Sequence, residues 1–199
     1  MIIMIWNYKI TDCEDMFYGL SNIIVIDLSL FDSSEVTTMS TMFQGCTSLI
    51  SIYLDNFNTS SVTDMSFMFY KYNSLISLDL QYFNTSLVKT TRSMFYNCFL
   101  LTSINLSSFD TSYVNDMSFM FYECTSLTSL DISHFNTSSV KIMNTIFFGC
   151  NLLESLDISN FNTSLVNNMA YFFYNCSSLK SLDLFNFDTS QTRVMSYMF

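Results

Sequence analysis

Residues 49–74 read LISIYLDNFNTSSVTDMSFMFYKYNS. The first half carries Leu49, Ile52 and Leu54, and alternation at the last two sets side chains on one side of an extended backbone. The same frame returns as Leu75/Leu78/Leu80, Leu101/Ile104/Leu106, Leu127/Leu130/Ile132, Leu153/Leu156/Ile158 and Leu179/Leu182/Leu184. A phenylalanine follows each frame, at Phe31, Phe57, Phe83, Phe109, Phe135, Phe161 and Phe187, always 26 residues apart. A fixed period of this length means one supersecondary unit copied in tandem, so the expected fold is a solenoid. Residues 1–199 read as a single continuous array of about seven and a half 26-residue repeats, with the ends cut from a longer array.

The second half of the unit changes its spacing. Val62, Met65, Met68, Phe69 and Tyr72 recur by three and four, which predicts a short helix with one buried side. The tetrad before it reads FDSS, FNTS or FDTS, residues whose side-chain oxygens satisfy the free N–H groups of a helix's first turn. A column of Gly19, Gly45, Lys71, Asn97, Glu123, Gly149 and Asn175 then favours the left-handed conformation that ends helices. The predicted class is thus an α/β repeat solenoid, with a parallel β-sheet of three- to five-residue strands and short helices on the other face.

Half the residues are hydrophobic and 17% aromatic, enough to fill a core. Seven basic residues against 17 acidic ones give a formal charge of −10. Nucleic acid and anionic membrane are excluded as partners on this reading, because both need clustered Lys and Arg. No apolar run approaches the length of a membrane span, and MIIMIW at the start fits the repeat, with Ile2 in register with Leu28 and Ile5 with Phe31.

The strand frame followed by MFQGCTSL (42–49), MFYNCFLL (94–101) and MFYECTSL (120–127), with SLDISHFNTSSV (129–140), resembles the BspA-like class of leucine-rich repeats in its 26-residue variety. The resemblance spans nearly the whole chain. It implies a curved array with the sheet on the concave face, found in surface proteins that contact other cells or matrix, and it carries no catalytic residues. Ordinary leucine-rich repeats place a buried Asn two residues past the strand; here the Phe column stands in its place, which the resemblance implies will change how the turn is held.

Two polar columns flank the core leucines and are the candidate concave binding face. One reads Asp27, Tyr53, Asp79, Asn105, Asp131, Asp157 and Asp183; the other reads Val25, Ser51, Ser77, Ser103, Ser129, Ser155 and Ser181. Strands about 4.8 Å apart would range the carboxylates in a ladder suited to a basic ligand or cations, or else to solvating the sheet and bonding to neighbouring backbone or Ser. Cys46, Cys98, Cys124, Cys150 and Cys176 share a column with Leu20 and Tyr72, which predicts buried free thiols. No C-x-x-C occurs and His134 is the only histidine, so neither a zinc site nor a Ser–His–acid triad is expected, and no cofactor or metal is implied. Asn58, Asn84, Asn136 and Asn162 stand in N-x-Ser sequons, but Asp replaces them at 32, 110 and 188, which favours capping over glycosylation. The tyrosine column at 18, 70, 96, 122 and 174 is expected to pack between neighbouring units.

Together these point to a non-enzymatic module that binds protein or glycan, displayed at the cell surface or outside the cell. The alternatives are an intracellular interaction scaffold and an array that joins end to end.

Overall fold

The computed structural model describes residues 8–199, so the register assigned to Ile2 and Ile5 lies outside the described residues. The strand frame is where the sequence places it. Strand β1 (Val25–Asp27) pairs in parallel with β2 (Ser51–Tyr53), and β3 (Ser77–Asp79) with β4 (Ser103–Asn105). Every residue faces its copy in the next unit: Val25 with Ser51, Ile26 with Ile52, Leu78 with Ile104. The middle residue points inward, as Ile26 and Leu78 are buried while Val25, Asp27, Ser77 and Asp79 are exposed. The continuous sheet expected from the sequence is not formed. Among the described residues no ladder joins β2 to β3, and none extends beyond β4.

The predicted helices are absent among the described residues, and the hydrogen bonds show why. From Met39 to Cys46 the N–H groups alternate between two kinds of acceptor. Those of Met39, Thr41, Phe43 and Gly45 donate to the next unit, to the carbonyls of Asp64 (2.9 Å), Ser66 (2.9 Å), Met68 (3.0 Å) and Tyr70 (2.9 Å). Those of Met42, Gln44 and Cys46 donate three residues back, to Met39 (3.3 Å), Thr41 (2.8 Å) and Phe43 (3.2 Å). The segment is therefore a run of tight turns, with two left-handed residues in each unit to reverse the chain.

One left-handed column is the Gly/Asn column read from the sequence, with Gly45 at φ 74° and Lys71 at φ 57°. It bends turns rather than ending helices. The other column, Asp15, Thr41, Phe67, Ser93, Phe119, Thr145, Tyr171 and Tyr197, has φ between 52° and 63°. A helix cannot pass through such residues. Tight turns still return to one side every three or four residues, so Val62, Met65, Met68, Phe69 and Tyr72 are all fully buried as the spacing requires.

This turn face carries the more continuous backbone ladder, through the bridges Asp12–Thr38–Asp64–Thr90–Asp116–Ile142. Columns of stacked rings run alongside this ladder. Outermost on the turn face, Tyr70, Tyr96, Tyr122, Phe148 and Tyr174 stack with centroids 4.3–5.1 Å apart. In the core behind them the Phe17-to-Phe199 column stacks at 5.4–6.0 Å. The Phe31, Phe57 and Phe83 rings stand 6.0 and 6.1 Å apart, and Phe109 and Phe135 6.5 Å. Aromatic rings are thus stacked in both the turn face and the core, one from each unit.

The FNTS tetrad holds both the turn and the stack. Each Asn or Asp side chain accepts the N–H two residues on, as Asn58 does from Ser60 (2.9 Å) and Asp110 from Ser112 (2.9 Å), so the cap closes a turn and not a helix. The neighbouring Thr is buried and reaches the next unit. Thr111 Oγ1 donates to the Asn136 carbonyl (2.9 Å) and accepts from the Asn136 N–H (2.8 Å). Thr59, Thr85 and Thr137 clamp Asn84, Asp110 and Asn162 in the same way.

Candidate binding face

The strand-end carboxylates owe their placement to a turn that follows each strand. Asp27 Oδ1 accepts the N–H of Ser29 (2.9 Å), Asp79 that of Gln81 (3.0 Å), Asp131 that of Ser133 (3.2 Å), Asp157 that of Ser159 (3.0 Å) and Asp183 that of Phe185 (2.9 Å). Asn105 makes the same bond to Ser107 (3.1 Å), so the turn needs the oxygen and not the charge. The Ser133 and Ser159 hydroxyls add second bonds to Asp131 (2.8 Å) and Asp157 (2.7 Å). Serine hydroxyl and amide donation hold the Asp27, Asp131 and Asp157 carboxyls below the usual carboxylate range, so all three are anionic at neutral pH.

The predicted site residues stand together on this face. Val25, Asp27, Tyr53, Ser77, Asp79, Ser103, Ser129, Asp131, Ser155, Asp157, Ser181 and Asp183 are exposed, while Ser51 and Asn105 are half-buried. Their aspartates already serve the strand-end turn, which accounts for the column without a ligand and still leaves each carboxylate facing solvent.

Sequence reasoning passed over an adjoining column. Ile24, Ile50 and Ile76 are 57–59% exposed beside Val25 and Tyr53. Their counterparts later in the chain are Thr102, Thr128, Glu154 and Lys180. This column is therefore apolar over its first three units and polar over the rest, a change that shows in the sequence once the period is known.

The cysteines are free, as predicted, and all but Cys176 are fully buried. Each thiol of the shared column donates to a carbonyl one unit back: Cys46 to Phe17 (3.1 Å), Cys98 to Phe69 (3.3 Å), Cys124 to Phe95 (3.2 Å), Cys150 to Phe121 (3.2 Å) and Cys176 to Phe147 (2.9 Å). Burial pushes the Cys13 and Cys46 thiols up to about 11 and Cys176 up to about 12. Folding thus favours the protonated thiol. The stability it brings is whole below the unfolded value of 9.0 and is lost as pH climbs towards 11 and above. At pH 8.5 a thiol reagent is expected to leave the folded chain unlabelled for hours and to modify all six cysteines once urea is added. Rapid labelling of the native chain would place the column at the surface.

Among the described residues no group of three or more His, Cys, Asp or Glu is arranged to hold a metal. His134 lies at the surface, with Nε2 3.1 Å from the Leu106 carbonyl and its ring edge-on to Phe135. No helix among the described residues is long and apolar enough to cross a membrane.

Against known proteins, the family described as "Mycoplasma protein of unknown function, DUF285" matches at residues 11–128 and 101–199. No curated protein resembles the chain in sequence. The fold is similar to the crystal structure of a leucine-rich repeat protein from Eubacterium ventriosum, with a TM-score of 0.59 and 20% identity over 90% of this chain. The chain spans 43% of that protein's length. A leucine-rich repeat protein of T. pallidum matches with a TM-score of 0.47 and 19% identity, covering 77% of this chain and 76% of the other.

Proposed function

The chain belongs to the DUF285 family, and from that membership and the leucine-rich-repeat fold we propose that it is a non-catalytic binding module that recognises a protein through its strand face. The observation that carries this reading is the row of outward carboxylates at Asp27, Asp79, Asp131, Asp157 and Asp183, each fixed by its own turn. A preorganised row of like charge attracts a basic partner and pays little ordering entropy on binding. We assign the repeat to the BspA-like variety and the molecule to the cell surface. A glycan ligand and end-to-end joining of arrays are the other uses open to such a surface.

Replacing Asp79, Asp131 and Asp157 together by Asn tests the charge without disturbing the turn, since Asn105 already makes that turn. On an array of basic proteins, acidic proteins and glycans, the parent is expected to retain basic proteins. The triple variant should bind them about tenfold more weakly, with an unchanged far-UV dichroism spectrum. Equal binding by parent and variant would remove the carboxylate row from the function. Brief protease treatment of intact source cells tests the location: the chain should be degraded while internal proteins survive. Its protection would favour the intracellular scaffold.

A further inference from the structure

The repeat breaks its own rule in the second described strand. Tyr53 stands where the other copies carry Asp or Asn, and so cannot accept the N–H two residues on. Beside it, Asn56 (φ 64°) is the one left-handed residue outside the two turn-face columns among the described residues. The strand ladder is also interrupted here, as it is beyond β4. Leu28 N–H donates to Tyr53 O (2.9 Å) and Leu80 N–H to Asn105 O (3.1 Å), but no equivalent bond joins Leu54 to Asp79. The units stay joined on the turn face, where Met65 N–H reaches Thr90 O (3.2 Å) and Phe69 N–H reaches Met94 O (2.9 Å). What opens between them on the strand face is a cleft of about 320 Å³ whose polar rim is Tyr53, Asp55, Asp79, Gln81 and Tyr82.

We propose that this cleft is a binding site for the guanidinium group of an arginine carried on an extended segment of a partner protein. Tyr53 and Tyr82 are 51% and 75% exposed, so both rings are open to a planar cation. Asp55 and Asp79 supply carboxylates at the same rim, and no basic side chain lines the cleft to neutralise them. Gln81 ties down Asp79, with its N–H on Oδ1 (3.0 Å) and Nε2 on Oδ2 (2.9 Å), which fixes the carboxylate before any ligand arrives. The exposed Ile24, Ile50 and Ile76 continue an apolar track on the same face for the residues flanking that arginine.

This inference rests on the strand face being the binding face, and it locates the contact at one unit. The test uses a labelled ten-residue peptide of Thr and Val with one central arginine, and the same peptide with neutral citrulline in its place, followed by fluorescence anisotropy. The intact chain is expected to bind the arginine peptide about tenfold more tightly. The variant Tyr53→Asn with Tyr82→Ser uses residues that β4's unit carries in these columns, Asn105 and Ser108, and should lose that preference. Asp55→Asn with Asp79→Asn should lose it also, while Asp131→Asn with Asp157→Asn should keep it. A preference that survives both cleft variants overturns the proposal. So does its absence in the parent, even where the carboxylate row still captures basic proteins on the array. Equal loss in the Asp131/Asp157 variant would return the binding to the whole face and likewise overturn the cleft.

Discussion

Phe121→Ala lowers the unfolding free energy by about 3–5 kcal/mol, the range for emptying a fully buried phenylalanine site. Phe121 is 1% exposed, and its ring is stacked 5.5 Å from Phe95 and 5.8 Å from Phe147. Its N–H bonds to Ile146 of the following unit at 2.9 Å, so the backbone around the cavity is held in place and cannot collapse to fill it. In an array each unit is stable only through its neighbours, and a cavity at this position loosens the coupling on both sides of it. Urea unfolding should show the lower midpoint and also a broader transition as the two halves part. The exposed Tyr113, replaced by Ala, should shift stability by less than about 0.5 kcal/mol. Similar losses at the two positions would contradict a single stacked core.

Thr111→Val should cost about 2–4 kcal/mol although it conserves shape. The hydroxyl serves the Asn136 N–H and carbonyl at once, at 2.8 and 2.9 Å, and Thr111 is 2% exposed. Removing it strands two backbone groups away from water, each worth about 1–3 kcal/mol. By contrast, Asn136→Asp should be close to neutral, since Asp110 fills that column in the preceding unit with the same bond to its Ser. Denaturant midpoints for the pair separate the two roles of the tetrad. A neutral Thr111→Val would mean that the clamp does not join the units.

How far the sequence led can be judged residue by residue. The 26-residue period and the columns of Leu, Met, Phe and Cys predicted which side chains are buried, and most are, although Met195 is exposed and Leu54, Cys176 and Phe187 are half-buried. The strand frame predicted β1 to β4 with their register. The helix was wrong for a physical reason: three- and four-residue spacing reports a buried side, and tight turns produce the same spacing as a helix. Gly45 and Asn97 hinted at left-handed backbone, but Thr41, Phe67 and Phe119 gave no such hint, being residue types that seldom adopt it. Bonds that define the turn face run to a unit 25 residues on, beyond any local pattern. Thr111 was masked for the same reason, since its partner Asn136 is distant in sequence while its neighbour Asp110 offers a familiar local cap. The aspartate column was legible as a surface feature. Its bond to the strand-end turn was anticipated only as bonding to nearby backbone or Ser, and the break at Tyr53 acquires meaning only once the missing ladder is seen.

The measurement that bears most directly on this fold is through-hydrogen-bond NMR coupling on the deuterated, isotope-labelled chain. It identifies the carbonyl that each amide contacts. If the units are joined by a ladder of turns, the Phe95 amide couples to the Met120 carbonyl and the Asn97 amide to that of Tyr122, each 25 residues ahead. Coupling of the Phe95 amide to Thr91, four residues behind it, would instead establish a helix and contradict the account of how this array is held together.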